Sequence, residues 1–156
     1  MDGVVGQAGP RVYCIMSAFD SQSVPGLAPV RRAVAELTEE QPLRLVVLFG
    51  SVARADTRPR DVDIALLGDE ALDLVALTNR LTRRLGSQRV DLVDLRTADP
   101  LLMALIARDG IVLHESAPGE FDRFASLAAR RFADTAKFRA DEREYIADFI
   151  RETSSQ

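Results

Sequence analysis

The chain has 156 residues, a formal net charge of −4 and one cysteine. This length suits one domain with its own core, and a single cysteine excludes an internal disulfide and a Cys-rich metal site. The acidic balance argues against tight nonspecific nucleic-acid binding. No apolar run approaches the length of a membrane span, and the first 15 residues lack the pattern of a secretion signal. We therefore expect a cytoplasmic protein that binds neither membrane nor nucleic acid directly.

Three segments are predicted in chain order. Residues 1–26, rich in Gly, Ser, Pro and Gln, are typical of a flexible tail, and Met16 inside it is a candidate native start. Residues 27–115 alternate helical and strand patterns and predict one α/β (α+β) domain with a small mixed sheet. The expected helices are Leu27–Glu40, Ser51–Asp56, Leu72–Leu85 and a helix from Asp99 and Pro100 to Gly110; the expected strands are Leu43–Phe49, Asp61–Leu67, Arg89–Leu95 and Ile111–His114.

The last segment, residues 116–156, is predicted to be one long helix from Pro118 to about Glu152. Its apolar stripe favours packing on the core or on a partner protein. The stripe consists of Phe121, Phe124, Ala128, Phe132, Ala136, Ala140, Ile146 and Ile150.

Two aspartates open the second predicted strand. Side chains alternate along a strand, so Asp61 and Asp63 share a face, with α-carbons roughly 6.6 Å apart. Such carboxylates both stay ionised only beside a cation or water, and Mg²⁺ prefers hard oxygen ligands. An isolated pair of aspartates with this spacing usually lies at a solvated strand edge. The ordered set of motifs around Asp61 and Asp63 favours a metal site instead.

A Gly-Ser pair and a third acid complete that set. Gly50 and Ser51 follow a buried strand, where glycine allows close backbone approach and a helix start suits phosphate. Asp91 lies early in the third predicted strand. If the second and third strands are neighbours, it could join a metal cluster or act as a base. Asp94 falls on the opposite face and ranks lower.

Three arginines surround the same loop. Arg54, one helical turn after Ser51, is predicted to reach a phosphate. For Arg58 and Arg60 solubility is an equally good interpretation. The sole histidine, His114, is expected to be structural.

The spacing Gly50-Ser51, Asp61-Val62-Asp63 and then Asp91 resembles the nucleotidyltransferase superfamily with the polymerase-β-like fold. With "DPLLMALIARDGIVLHE", residues 99–115, the chain is similar to minimal nucleotidyltransferase (MNT) proteins, often the antitoxin halves of MNT–HEPN toxin–antitoxin pairs. The similarity extends over about residues 27–115.

The resemblance implies catalysis and metal binding by Asp61, Asp63 and Asp91, and nucleotide binding by Gly50 and Ser51. It implies transfer of AMP from ATP to a tyrosine hydroxyl of a HEPN ribonuclease toxin, which silences the toxin. Two Mg²⁺ ions about 3.5–4 Å apart would fit such an acid set.

Two positions depart from the family pattern. Ala55 stands where members commonly have glycine, and Arg60 stands where a small polar residue is common before the first aspartate. Neither change removes a proposed ligand, although Arg60 could alter nucleotide or partner preference.

Three alternatives stay open. The chain could neutralise a toxin by binding alone, with the nucleotide site vestigial. It could modify a small molecule, as aminoglycoside nucleotidyltransferases do, although these usually carry a further substrate-binding domain. A polymerase accessory role is disfavoured because the chain lacks a basic groove pattern.

Overall fold

The structure, a computed structural model, describes residues 24–136, 138 and 140. The predicted tail up to residue 23, with its candidate start at Met16, lies outside these residues. So does the whole chain after residue 140, which includes Ile146, Ile150 and the predicted end of the last helix near Glu152. The described elements are α1 (Leu27–Glu40), β1 (Leu45–Phe49), α2 (Gly50–Ala53), β2 (Val62–Leu67), α3 (Leu74–Leu85), β3 (Val90–Asp94), α4 (Pro100–Asp109), β4 (Ile111–Glu115) and α5 (Glu120–Asp134).

The four strands form one mixed sheet in the order β3-β2-β1-β4. Strand β1 pairs antiparallel with both β2 and β4, whereas β2 and β3 run parallel. The parallel register sets Asp63 opposite Asp91. The predicted mixed sheet is confirmed, and its register brings two of the candidate acids together.

Helices cover the sheet on both faces, which explains why β1 is apolar without alternation. Val46 and Leu48 of β1 face the cluster that includes α1 and α3. Leu45 and Val47 face the cluster of α4 and α5. In β2, Val62, Ile64 and Leu66 belong to the first cluster and Ala65 to the second. Asp63, two residues before Ala65, therefore lies on the α4–α5 face.

The helix ends follow local chemistry visible in the sequence. Asp99 caps α4, because its carboxylate accepts hydrogen bonds from the backbone N–H groups of Leu101 and Leu102. Pro100 occupies the first helical position. Gly86 ends α3 in the left-handed conformation, with φ of 62°.

Two predicted helices have different limits in the structure. Helix α3 begins at Leu74 rather than Leu72, because Asp73 caps it by accepting from the N–H of Ala76. Helix α2 ends at Ala53 rather than Asp56, because Ala55 has a φ of 54°, which no α-helix contains.

In α5, Phe124 and Ala128 are buried but Phe132 is 36% exposed. Core packing on the sheet is therefore made by the first three turns of α5, and Phe132 is not a core residue.

Among the described residues, no helix combines the length and the apolar character needed to cross a membrane.

Candidate active site

Three carboxylates converge at one end of the sheet. Asp61, Asp63 and Asp91 each offer an oxygen atom, and these atoms all lie within 4.8 Å of one another. Asp63 and Asp91 are paired positions of neighbouring strands, and Asp61 immediately precedes β2. The sequence predicted that these three residues would meet, on the condition that the second and third strands are neighbours. The structure fulfils that condition.

The position of Asp61 follows from how β2 begins. The backbone N–H of Val62 donates to the carbonyl of Arg89 at 3.0 Å, so the ladder starts at Val62. Val62 is fully buried on the opposite face. Burial of Val62 and Ile64 on the α1–α3 face therefore directs both aspartates to the other side.

Gly50 is required by the closeness of Asp63. Its φ is 72°, in the left-handed region that favours glycine. A β-carbon on residue 50 would lie 1.9 Å from Oδ2 of Asp63, far inside contact distance. The sequence predicted that this glycine lets the backbone approach a ligand, and the structure shows that it first makes room for a carboxylate.

Ser51 ties the start of α2 to the acid pair. Its hydroxyl donates to the carbonyl of Asp61 at 3.4 Å and accepts from the N–H of Arg60 at 3.3 Å. Ser51 thus fixes the backbone just before and at the first aspartate. The structure therefore gives Ser51 a positioning role, and its phosphate contact stays a prediction.

The acid pair opens into a cleft of about 460 Å³ whose rim carries arginines 54, 58 and 60. Nη2 of Arg54 is 3.2 Å from Oδ2 of Asp56. Asp56 was not singled out from the sequence, although an opposite charge two residues from Arg54 was a visible signal. The hydrogen bond and the charge of Arg108 lower the pKa of Asp109, at the end of α4. The charge of Arg54 adds a smaller effect in the same direction.

Burial and repulsion within the cluster perturb the pKa of Asp63. Its pKa is raised by burial and further by the charges of Asp61 and Asp91, while Arg54 opposes the shift. An all-oxygen set of crowded carboxylates fits a hard divalent cation, since such an ion relieves the repulsion. The donor chemistry therefore suits Mg²⁺, with Asp61, Asp63 and Asp91 as the residues that would hold it.

The two departures from the family pattern lie beside this cleft. Ala55 adopts the left-handed conformation that glycine would adopt more easily. The carbonyl of Arg60 accepts a hydrogen bond from Nη1 of Arg89 at 3.0 Å, which ties the loop to the residue before β3. With both residues present, the three acids still converge.

Two other polar residues lie apart from the cluster. Nε2 of His114 is 3.1 Å from the carbonyl of Leu43, which is a structural hydrogen bond. Oδ1 of Asp94 accepts from the N–H of Arg96 in the turn after β3. Both placements agree with the sequence analysis, which expected His114 to be structural and Asp94 to lie on the face opposite the acid cluster.

Comparison with known proteins gives consistent results. Residues 33–118 match the family described as "Polymerase beta, Nucleotidyltransferase". A curated relative, "Protein adenylyltransferase MntA" of Aphanizomenon flos-aquae (strain 2012/KM1/D3), is 29% identical over 141 residues, which span 81% of this chain and 94% of the relative.

Solved structures of similar fold point the same way. One, described as "Crystal structure of the toxin-antitoxin with AMP-PNP", aligns with a TM-score of 0.64 and 28% identity over 77% of this chain and 98% of that chain. Another, a tri-AMPylated Shewanella oneidensis HEPN toxin in complex with MNT antitoxin, aligns with a TM-score of 0.61 and 28% identity over 78% and 96%. The resemblance found in the motifs is confirmed, and because the family match extends over more than half of the chain, this protein belongs to the polymerase β-type nucleotidyltransferase family.

Proposed function

We propose that this chain is the antitoxin of a toxin–antitoxin pair and that it transfers AMP from ATP to a tyrosine hydroxyl of a HEPN-type ribonuclease. The observation that carries the proposal is the convergence of Asp61, Asp63 and Asp91 next to Gly50. A polar cleft lined by the acid pair and three arginines has the charges that a magnesium–triphosphate requires. Relatives named as a protein adenylyltransferase and as an MNT antitoxin bound to an AMPylated toxin support the choice of acceptor.

The chain's own residues then have separate tasks. The N–H groups at Gly50 and the hydroxyl of Ser51 bind phosphate oxygens, and Arg54 neutralises charge on the triphosphate. Asp61, Asp63 and Asp91 would hold Mg²⁺, which would supply charge stabilisation at the reacting phosphate. Asp91 also accepts the proton of the attacking hydroxyl.

The transfer balances without any further reactant. The tyrosine oxygen forms a bond to the α-phosphorus of ATP, the bond from that phosphorus to the bridging oxygen breaks, and pyrophosphate leaves. The protein forms no covalent intermediate, because positioning and charge neutralisation supply most of the rate in this kind of reaction.

The division of the chain belongs to the same proposal. Residues 27–115 carry the chemistry, and the described part of the C-terminal segment packs on the core through Phe124 and Ala128. A cytoplasmic location follows from the use of ATP as substrate.

The test uses ATP labelled at the α-phosphate, Mg²⁺, the purified chain and an extract of its host. We expect label on one protein band, and mass spectrometry should place one or more AMP groups on tyrosine. The double variant Asp61→Asn, Asp63→Asn should reduce transfer by roughly 10³-fold or more, since metal-assisted charge stabilisation is worth several kcal/mol.

A matched control removes the same formal charge elsewhere. Glu39→Gln with Glu70→Gln changes two exposed carboxylates outside the cleft and should leave labelling unchanged. Label on a small molecule instead of a protein would contradict the proposal and favour an antibiotic-modifying enzyme. ATP binding without any label would favour neutralisation by binding alone.

A further inference from the structure

A second recess lies at the opposite end of the same sheet face. We call it the arginine groove, after the four guanidinium-bearing residues that line it: Arg44, Arg96, Arg123 and Arg131. Its volume is about 350 Å³, within the range of small-molecule sites. It lies beside Leu67 at the end of β2, four residues and thus about 13 Å along the strand from Asp63. The groove is therefore separate from the acid cluster.

The floor of the arginine groove is apolar. Its accessible surface comes from Leu67 at the end of β2 and Leu127 of α5, above the buried Leu95, Met103 and Phe124. Leu95, Met103 and Phe124 also belong to the core on this face. An apolar ring or chain placed here would therefore continue the packing of the core.

One carboxylate organises two of the arginines. Glu120, only 6% exposed, is one of two buried polar or charged residues in the described part of the chain. Its Oε2 is 2.8 Å from Nη2 of Arg44, and its Oε1 is 2.7 Å from Nη2 of Arg123. Both guanidiniums are thus held at the groove, with further N–H donors available because each guanidinium has five.

The other two arginines have no carboxylate partner among the described residues. Nη1 of Arg131 lies 3.5 Å from the sulfur of Met103, a weak acceptor, and Arg131 is half-buried. Arg96 is exposed at the rim. Asp69, outside the lining, is a second partner of Arg44, with Oδ1 3.6 Å from Nε. The lining therefore holds four guanidiniums and one carboxylate, in a chain whose net charge is −4. Such an excess, next to an apolar floor, is complementary to a negative charge on an apolar body.

We propose that the arginine groove binds a small amphipathic organic anion: a phosphate, sulfonate or carboxylate head group attached to an apolar ring or short chain. The head group receives hydrogen bonds from Arg131 and Arg96, since planar guanidinium forks match such oxyanions. The apolar part lies on Leu67 and Leu127, the two partly exposed apolar residues of the lining. This site uses none of the residues of the acid cluster.

The probe is 8-anilinonaphthalene-1-sulfonate, an aromatic sulfonate whose fluorescence rises in an apolar site, titrated into the full-length chain. We expect saturable binding of one equivalent. Arg131→Gln and Arg96→Gln should each raise the Kd about ten-fold or more, as for loss of a hydrogen bond to a charged group. Because Arg131 packs on Met103, the exposed Arg96 provides a second variant that leaves the fold intact.

Three controls test whether probe binding depends on the charge of the sulfonate and on the location of the arginines in the groove. Arg83→Gln removes the same charge from the exposed surface of α3 and should leave the Kd unchanged. N-phenyl-1-naphthylamine, which lacks the sulfonate, should bind at least ten-fold more weakly. Saturating ATP with Mg²⁺ should not displace the probe.

Any one of four results overturns the proposal. These are equal binding by wild type and both groove variants, equal weakening by Arg83→Gln, equal binding of the neutral analogue, and displacement of the probe by ATP with Mg²⁺.

Competition then identifies the head group. Displacement by phenyl phosphate at lower concentration than by phenylacetate indicates a phosphorylated ligand, and the reverse order indicates a carboxylate. Failure of both to displace the probe also contradicts the proposal.

Discussion

The two ends of the α4–α5 face shift the pKa of an acidic side chain in opposite directions. At one end, the pKa of Asp63 is raised by burial and by the neighbouring carboxylates of Asp61 and Asp91. At the other end, the pKa of Glu120 is lowered by hydrogen bonds from Arg123 and Arg44. The acid cluster therefore retains an uncompensated repulsion that a cation can relieve, whereas the carboxylate of the arginine groove is already neutralised. Perturbed groups of the first kind are those expected at functional sites.

The largest effect is expected from Gly50→Ala, which disturbs the acid cluster directly. The new β-carbon would lie 1.9 Å from Oδ2 of Asp63, so that carboxylate must move. We expect the rate of AMP transfer to fall about 10²-fold or more, as for other displacements of roughly 1 Å. The measurement is the initial rate of labelling with α-labelled ATP.

Gly119→Ala separates this clash from backbone strain. Gly119 also has a positive φ, of 85°, but a β-carbon there meets only Nη1 of Arg123 at 3.6 Å. Both variants should lose about 1 kcal/mol of stability from left-handed strain, and only Gly50→Ala should lose activity. Comparable activity in the two variants would show that the contact with Asp63 is not what makes Gly50 necessary.

The next largest effect is expected from Glu120→Gln, which removes the carboxylate of the arginine groove. Loss of the carboxylate leaves Arg44 and Arg123 without their shared partner, so the melting temperature at pH 7 should fall. The folded-state pKa of Glu120 lies below its ordinary value, so its stabilisation is present above about pH 4.5 and is lost as the pH falls through the lowered pKa.

Thermal melts of wild type and Glu120→Gln from pH 7 to pH 3 test this sign. The gap in melting temperature should close toward acid. Glu39→Gln, at an exposed residue without an ion pair among the described residues, should melt like wild type throughout. A gap that stays constant with pH would mean that shape rather than charge makes Glu120 stabilising.

A smaller effect of opposite sign is expected from Asp63→Asn. Because the folded-state pKa of Asp63 is raised, its charged form destabilises the metal-free protein above that pKa, and the cost disappears as the pH falls through it. In the presence of EDTA at pH 7 the variant should therefore melt slightly higher than wild type, although it should lose transfer activity.

Magnesium supplies the matched comparison for Asp63→Asn. Addition of Mg²⁺ should raise the melting temperature of wild type, since a ligand that binds only the native state stabilises it, and should leave the variant nearly unchanged. A variant that melts lower than wild type in EDTA would argue against stored repulsion at this end of the sheet.

The smallest effect is expected from Ala55→Gly, in the loop that carries the arginines of the cleft. Relief of the left-handed φ of 54° is worth about 1 kcal/mol, and the greater freedom of glycine in the unfolded chain offsets about 0.4–1 kcal/mol. Stability should therefore rise by no more than about 0.6 kcal/mol. Ala53→Gly, inside α2, should lower it by about 0.5–1 kcal/mol. Urea unfolding of both variants measures the difference, and equal losses would contradict the assignment of strain to Ala55.

Local chemistry made much of the fold readable from the sequence. The limits of α1, the Asp99 cap, the Gly86 stop and the alternation of Val62, Ile64 and Leu66 all depend on neighbours in the chain. The choice of Asp61, Asp63 and Asp91 as one set also came from the sequence, because alternation assigns each of them to a face. These features were predictable because propensity, capping and strand period act over a few residues.

The tertiary structure decided what depends on distant segments. The parallel register of β2 and β3 placed Asp91 opposite Asp63, and the closeness of Asp63 explains Gly50. The packing of α5 decided that Phe124 and Ala128 of its apolar stripe are buried and that Phe132 is exposed. The arginine groove combines residues from 44 to 131, whose charges gave no common pattern in the sequence. Strand order and helix packing set such neighbours, and no local interaction encodes them.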